Sequence, residues 1–145
     1  MDKMVRVILY SFTILLLCMS CQSDNKATAS NSGKASPNET EFIRMLSPTE
    51  FLQVYKENPG SVMVDVRTPK EYVGGKLVPE AENVDYHADT FLEKILMYDR
   101  DTPIFVYCFS GGRSAKAVYK MKQLGFKKIY ECEGGYQKWD RENKK

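Results

Sequence analysis

Histidine and tryptophan occur once each in the 145 residues, at His87 and Trp139, and only four residues are cysteine. One histidine and so few thiols leave no His/Cys grouping with metal-ligand spacing, so no zinc or other metal constellation is expected, and His87 reads as a loop residue. An excess of one charge is also missing. Twenty-one Lys and Arg stand against 19 Asp and Glu, a formal +2, which is too near neutral for an electrostatic nucleic-acid footprint. Nine Gly and six Pro without a short repeat exclude collagen, and 43% hydrophobic residues with 28% charged ones exclude disorder of the whole chain. No apolar run reaches the roughly 20 residues that a bilayer core requires.

The longest such run, Val7 to Met19, follows Lys3 and Arg6, the order of a secretory signal: a basic stretch, then a short apolar one. It ends Leu17, Cys18, Met19, Ser20, Cys21, which is similar to a bacterial lipobox, with a small residue directly before the cysteine that would be lipidated. Residues 1–20 are therefore expected to be a lipoprotein-type signal peptide, with Cys21 the lipid anchor. Localisation in a bacterial cell envelope follows, the chain facing the periplasm or the exterior. From Gln22 to Glu41 there is no Val, Ile, Leu, Met, Phe, Tyr or Trp, so nothing offsets the ordering entropy of folding. Residues 21–41 read as a flexible tether.

Residues 42–145 are long enough for one folded domain. Ser47, Pro48, Thr49, Glu50 is a capping box with proline at the first helical position, predicting a helix that buries Phe51, Leu52 and Tyr55 and stops at Asn58-Pro59-Gly60. A strand is expected over Ser61 to Val66. The same capping device, Thr68, Pro69, Lys70, Glu71, starts a short helix ending at Gly74 and Gly75. Thr90 is expected to cap a helix burying Phe91, Leu92, Ile95 and Leu96. Pro103 to Tyr107 is the most apolar strand, and a helix from about Arg113 to Gln123 turns Ala117, Val118 and Met121 inward. Lys128 to Cys132 reads as another strand, and a closing helix begins at Tyr136 and anchors through Trp139. Strand and helix alternate, which implies an α/β fold with a largely parallel sheet and a site at the carboxyl ends of its strands.

At the end of the most apolar strand stand Cys108, Phe109, Ser110, Gly111, Gly112, Arg113 and Ser114. Gly111 and Gly112 permit positive backbone angles, so that the N–H groups of the loop can converge on one point. The start of the following helix and the guanidinium of Arg113 add positive potential, which favours an anion in the loop and the thiolate form of Cys108. Four residues separate Cys108 from Arg113. The cysteine phosphatases have five, in keeping with the wider cradle that a phosphate needs.

The shorter loop resembles that of the rhodanese (sulfurtransferase) family, and two further motifs agree in order and spacing. Val64, Asp65, Val66, Arg67 with Glu71 and Tyr72 resemble the family's Asp-Val-Arg and Glu-Tyr elements; Leu124, Gly125, Phe126 with Glu133, Gly134, Gly135 and Trp139 resemble its closing segment. The resemblance spans roughly Phe42 to Asp140. It implies a five-stranded, mainly parallel sheet flanked by helices, no cofactor, and a ping-pong reaction. In that reaction Cys108 accepts sulfane sulfur as a persulfide and passes it to a thiophilic acceptor.

The resemblance also implies roles. Cys108 and Arg113 would be catalytic, Arg113 binding the donor's anionic part or bracing the loop. Phe109, Ser110, Gly111, Gly112 and Ser114 would bind substrate, with Ser110 and Ser114 donating to the thiolate, while Asp65 and Arg67 would form structural ion pairs with their surroundings or with Glu71. The partners implied are a small anionic sulfur donor or a protein persulfide, a thiol acceptor, and the membrane through the N-terminal lipid.

Two departures from the family pattern stand out. Lys76 occupies a place where relatives often have His, with one residue inserted before Pro79, and Phe109 and Gly112 replace charged or amide side chains, leaving Arg113 the loop's only charge. Weak affinity for thiosulfate and a preference for an apolar or protein-bound donor are expected. Two other readings remain open at this level: a rhodanese-fold binding module without turnover, and a thiol redox protein in which Cys132, at the end of a neighbouring strand, resolves an oxidised Cys108.

Overall fold

The computed structural model describes residues 42–144. The signal peptide expected at 1–20, the Cys21 anchor and the tether at 21–41 lie outside the described residues. The elements follow in the order β1 (Phe42–Leu46), α1 (Pro48–Glu57), β2 (Val62–Asp65), α2 (Pro69–Val73), β3 (Glu82–Asn83), α3 (Phe91–Ile95), β4 (Ile104–Tyr107), α4 (Gly112–Gln123), β5 (Lys128–Cys132) and α5 (Gly135–Asn143). The five strands form one sheet in the order β1-β5-β4-β2-β3, and every neighbouring pair is parallel.

Both capping boxes form as the sequence predicts. Ser47 and Thr68 each accept the backbone N–H of the residue three positions on, while Glu50 and Glu71 reach back to the cap N–H groups. Central β4 is buried at all four positions, because helices cover both faces of a parallel sheet. Its alternation divides the core in two. Ile104 and Val106 face a layer with Phe91 and Ile95 of α3 and Ala117, Val118 and Met121 of α4. Phe105 and Tyr107 face Phe51 of α1, with Tyr136 and Trp139 of α5 packed on that side.

The structure adds two strands and corrects three expectations. Strands β1 and β3 carry no clear signal in the sequence because they are the sheet's two edges: β1 exposes Ile43, Arg44 and Met45, and β3 is two residues long. Thr90 precedes α3 but makes no side-chain cap. Leu92 of the same helix and Leu96 just past its end are exposed, since a helix of five residues presents only one narrow stripe, here Phe91 and Ile95, to the core. Leu52 and Tyr55 of α1 are half-buried rather than buried.

The second core layer is built on aromatic contacts. Phe105 stacks on Tyr130 with ring centroids 4.3 Å apart and meets Phe51 and Tyr55 edge-on at 5.3 and 5.2 Å. Replacing Phe105 by Ala removes a fully buried ring and should lower stability by about 3–5 kcal/mol, measured by urea unfolding.

Candidate active site

Strand β4 ends at Tyr107, and the next residue, Cys108, is 1% exposed with its side chain on the α3/α4 face of the sheet. The chain then turns through Phe109, Ser110 and Gly111 into α4. Gly111 caps that helix in a left-handed conformation (φ 102°) and its N–H donates to Cys108 Sγ at 3.1 Å. Gly112, expected to share the positive angle, does not; it is the first residue of α4, and a Cβ there would meet open space.

A second helix holds the loop from behind. At the start of α5, Tyr136 N–H donates to Cys108 C=O at 2.9 Å and Gln137 N–H to Phe109 C=O at 2.8 Å. A carbonyl and the following N–H point opposite ways across one planar peptide, so these bonds turn the N–H groups of Phe109 and Ser110 away from α5. The approach is possible only because Gly135, at φ 57°, has no side chain: a Cβ there would collide with Cys108 O and come within 2.9 Å of Phe109 O. Burial pushes the Cys108 thiol up, but the N–H and hydroxyl of Ser114 and the N–H groups of Gly111 and Ser110 outweigh it, holding the thiol below its ordinary value.

Arg113 projects to α2, not toward open solvent. Its Nη1 and Nη2 each donate to a different Glu71 carboxylate oxygen at 2.7 Å, a bidentate pair. Thr68 Oγ1 and N–H also donate to Glu71, at 2.8 and 3.0 Å. Arg113 first, with Thr68, draws the Glu71 carboxyl down to about 2. Glu71 therefore pairs with Arg113, whereas the sequence offered it to Asp65 and Arg67. Those two pair with each other: both are buried, and Arg67 Nη2 lies 2.6 Å from Asp65 Oδ2. Arg67 also donates to Gly75 C=O and lies under the Tyr136 ring, 4.2 Å from its centroid. Lys76, in the position expected of a His, donates to Tyr72 OH at 2.9 Å.

Phe109 and Ser110 have exposed side chains, and Ser110 reaches the sulfur through its backbone. Ser114 is fully buried. Its Oγ lies 2.9 Å from Gly111 C=O and 2.7 Å from Glu131 Oε1. Glu131, a buried acid, was not singled out from the sequence, although it shares a strand face with Ile129, where an apolar residue is the rule. Cys132 is fully buried and belongs to the other core layer, with Phe51 and Tyr130, so the sheet separates it from Cys108. Both thiols are free, and burial pushes Cys132 up to about 12. This placement opposes a resolving role for Cys132. His87 is exposed, and no grouping of metal ligands occurs among the described residues.

Two outcomes follow from this geometry. Gly135→Ala should lower stability by at least about 2 kcal/mol in urea unfolding through backbone strain and collision, while Gly112→Ala, free of both, should leave it unchanged or raise it by about 0.4–1 kcal/mol. Because Glu71 is depressed in the folded state, the stability it contributes is complete above its ordinary value of 4.5 and is lost as pH falls toward about 2. Urea midpoints taken across that acid range should fall in the native chain more steeply than in Glu71→Gln.

Comparison with known proteins agrees with this architecture. A family model described as "Rhodanese-like domain" matches residues 47–142. Proteins named thiosulfate sulfurtransferase GlpE from Pseudomonas syringae pv. syringae and Pseudomonas entomophila are each 33% identical over 100 residues, covering 69% of this chain and 89% and 86% of theirs. Among solved structures, a rhodanese-related protein of Thermoplasma volcanium superposes with a TM-score of 0.60 at 31% identity, over 69% of this chain and 93% of that one. The polysulfide-sulfur transferase homodimer of Wolinella succinogenes gives 0.58 at 31% identity, over 69% and 74%. With a parallel five-stranded sheet, a six-residue Cys-to-Arg loop on its central strand and relatives of this closeness, the chain belongs to the rhodanese-like sulfurtransferase family.

Proposed function

We propose that the protein is a rhodanese-type sulfurtransferase that carries sulfane sulfur as a persulfide on Cys108. The observation that carries this reading is the cradle: a cysteine held toward its thiolate, with Gly111 N–H on its sulfur and further backbone donors at Ser110 and Ser114. Preorganised N–H donors suit the charge that develops on a terminal sulfur as they suit an oxyanion.

With thiosulfate, the Cys108 thiolate attacks the outer sulfur, an S–S bond forms to Cys108, the donor's S–S bond breaks, and sulfite leaves with the electron pair. The acceptor, a thiolate or cyanide, then attacks the terminal sulfur and restores the Cys108 thiolate. Arg113 braces the loop: its fork is occupied by Glu71, so it presents a neutralised pair to an incoming anion. Phe109 is 40% exposed on the loop, and Val73 is exposed on the helix that the Arg113–Glu71 pair ties to it. Apolar side chains and a neutralised cation of this kind support an apolar or protein-bound persulfide donor over thiosulfate. Lipid attachment at Cys21 would hold the domain at the membrane of a bacterial cell envelope, facing the periplasm or exterior, a reading that rests on Lys3, Arg6, the apolar run and the Ser20-Cys21 pair.

Mass spectrometry of the intact protein tests the chemistry. After thiosulfate or polysulfide the native chain should gain one sulfur atom, lose it to cyanide, and gain none as Cys108→Ser. A Cys108 that stays a free thiol after both donors would overturn the enzyme reading and leave a binding module.

A further inference from the structure

The reading of Cys108 as the reacting thiol, which rests on the proposed function, leaves the buried Glu131 carboxyl without a role. Glu131 is 5% exposed, lies on β5 beside the central strand with Val106 as its register partner, and among the described residues has one hydrogen-bond partner for its side chain, Ser114 of α4. We infer that Glu131 is a positioning residue for Cys108, acting through the single hydroxyl proton of Ser114.

Hydroxyl protons are scarce at this point of the site. Ser114 Oγ carries one, and three acceptors compete for it: Glu131 Oε1 at 2.7 Å, Gly111 C=O at 2.9 Å and the Cys108 sulfur. Gly111 C=O also accepts Ala115 N–H at 3.0 Å, and the same residue's N–H donates to Cys108 Sγ. When Glu131 is ionised, the Ser114 proton points at the carboxylate, away from the loop. When Glu131 is protonated, the carboxyl donates to Ser114 Oγ, and the Ser114 proton turns to the loop and its sulfur. A proton that leaves the Cys108 thiol can thus be held on the carboxyl: thiol and carboxylate become thiolate and carboxylic acid, with one buried negative charge before and after. Burial favours the neutral carboxyl, in the direction this exchange needs.

The surroundings contain few competing charges. At the register positions opposite Glu131, β1 presents Met45 and β4 presents Val106. The α4 face contributes Ala117, Val118 and Met121 besides Ser114. Arg113, itself paired with Glu71 and influenced by Asp85, is the cation that Cys108 feels; Cys132, behind the sheet, is a neutral thiol.

Alkylation of Cys108 by iodoacetamide as a function of pH tests the coupling without any sulfur transfer, so its failure is distinct from failure to form a persulfide. The full chain is used, and the mass of the peptide carrying Cys108 is read, which separates it from Cys18, Cys21 and Cys132. Glu131→Gln keeps the size and is permanently neutral. Its curve should move to lower pH, with alkylation near pH 6.5 faster by about threefold, the factor that half a unit of midpoint produces. In a Ser114→Ala background the same substitution should have less than half that effect. Superimposable curves for native and Glu131→Gln proteins, or an undiminished effect without Ser114, would overturn the inference. Should Glu131→Gln fail to fold, Glu131→Met, of similar size and also without charge, takes its place: its curve should likewise move to lower pH, and a curve identical to the native one refutes the relay.

Discussion

The close contact between the first turn of α5 and the peptide carbonyls of Cys108 and Phe109 is the constraint on which the site rests. A loop of this length has a few carbonyls and a few N–H groups, and without an external partner both kinds would point partly inward. Two carbonyls drawn onto α5 leave the interior to donors. Glycine at position 135 is a steric requirement of that approach, and the position of α5 in turn depends on Tyr136 and Trp139 packing on the second core layer.

Two ion pairs extend the same frame across the sheet, and they differ in kind. Asp65 and Arg67 are buried, and the cost of removing both charges from water is offset only because nearly every donor and acceptor is used: the Asp65 carboxylate takes Arg67 N–H, Nε and Nη2, and the Arg67 guanidinium also meets Gly75 C=O and the Tyr136 ring. The pair thereby fixes the end of β2 against α5. Arg113 and Glu71 are partly exposed and tie α4 to α2, so the loop is held from three directions by helices that follow three different strands.

Much of this was legible in the chain. Helix starts written as Ser-Pro-Thr-Glu and Thr-Pro-Lys-Glu are local devices that do not depend on distant contacts, and both form. The apolar run of β4 and the Cys-to-Arg spacing likewise located the loop. What escaped notice is what only tertiary position decides. Edge strands β1 and β3 lack a buried pattern because they have one neighbour each. The partner of Glu71, Arg113, lies 42 residues away and could not be chosen over the nearby Arg67 from spacing alone. The separation of Cys108 from Cys132 rests on pleat parity: both follow or end neighbouring strands, yet they point to opposite faces.

The bidentate closure of Arg113 on Glu71 has a kinetic meaning. A site whose one cation is neutralised within hydrogen-bonding distance acts on an approaching ion through short-range dipoles, which fall away more steeply with distance than a net charge does. Encounter with a small anion is then unsteered, and its rate should be nearly indifferent to ionic strength. Selection among donors falls instead to the last few ångströms, where shape at Phe109 and the aim of the loop N–H groups decide which sulfur can reach Cys108.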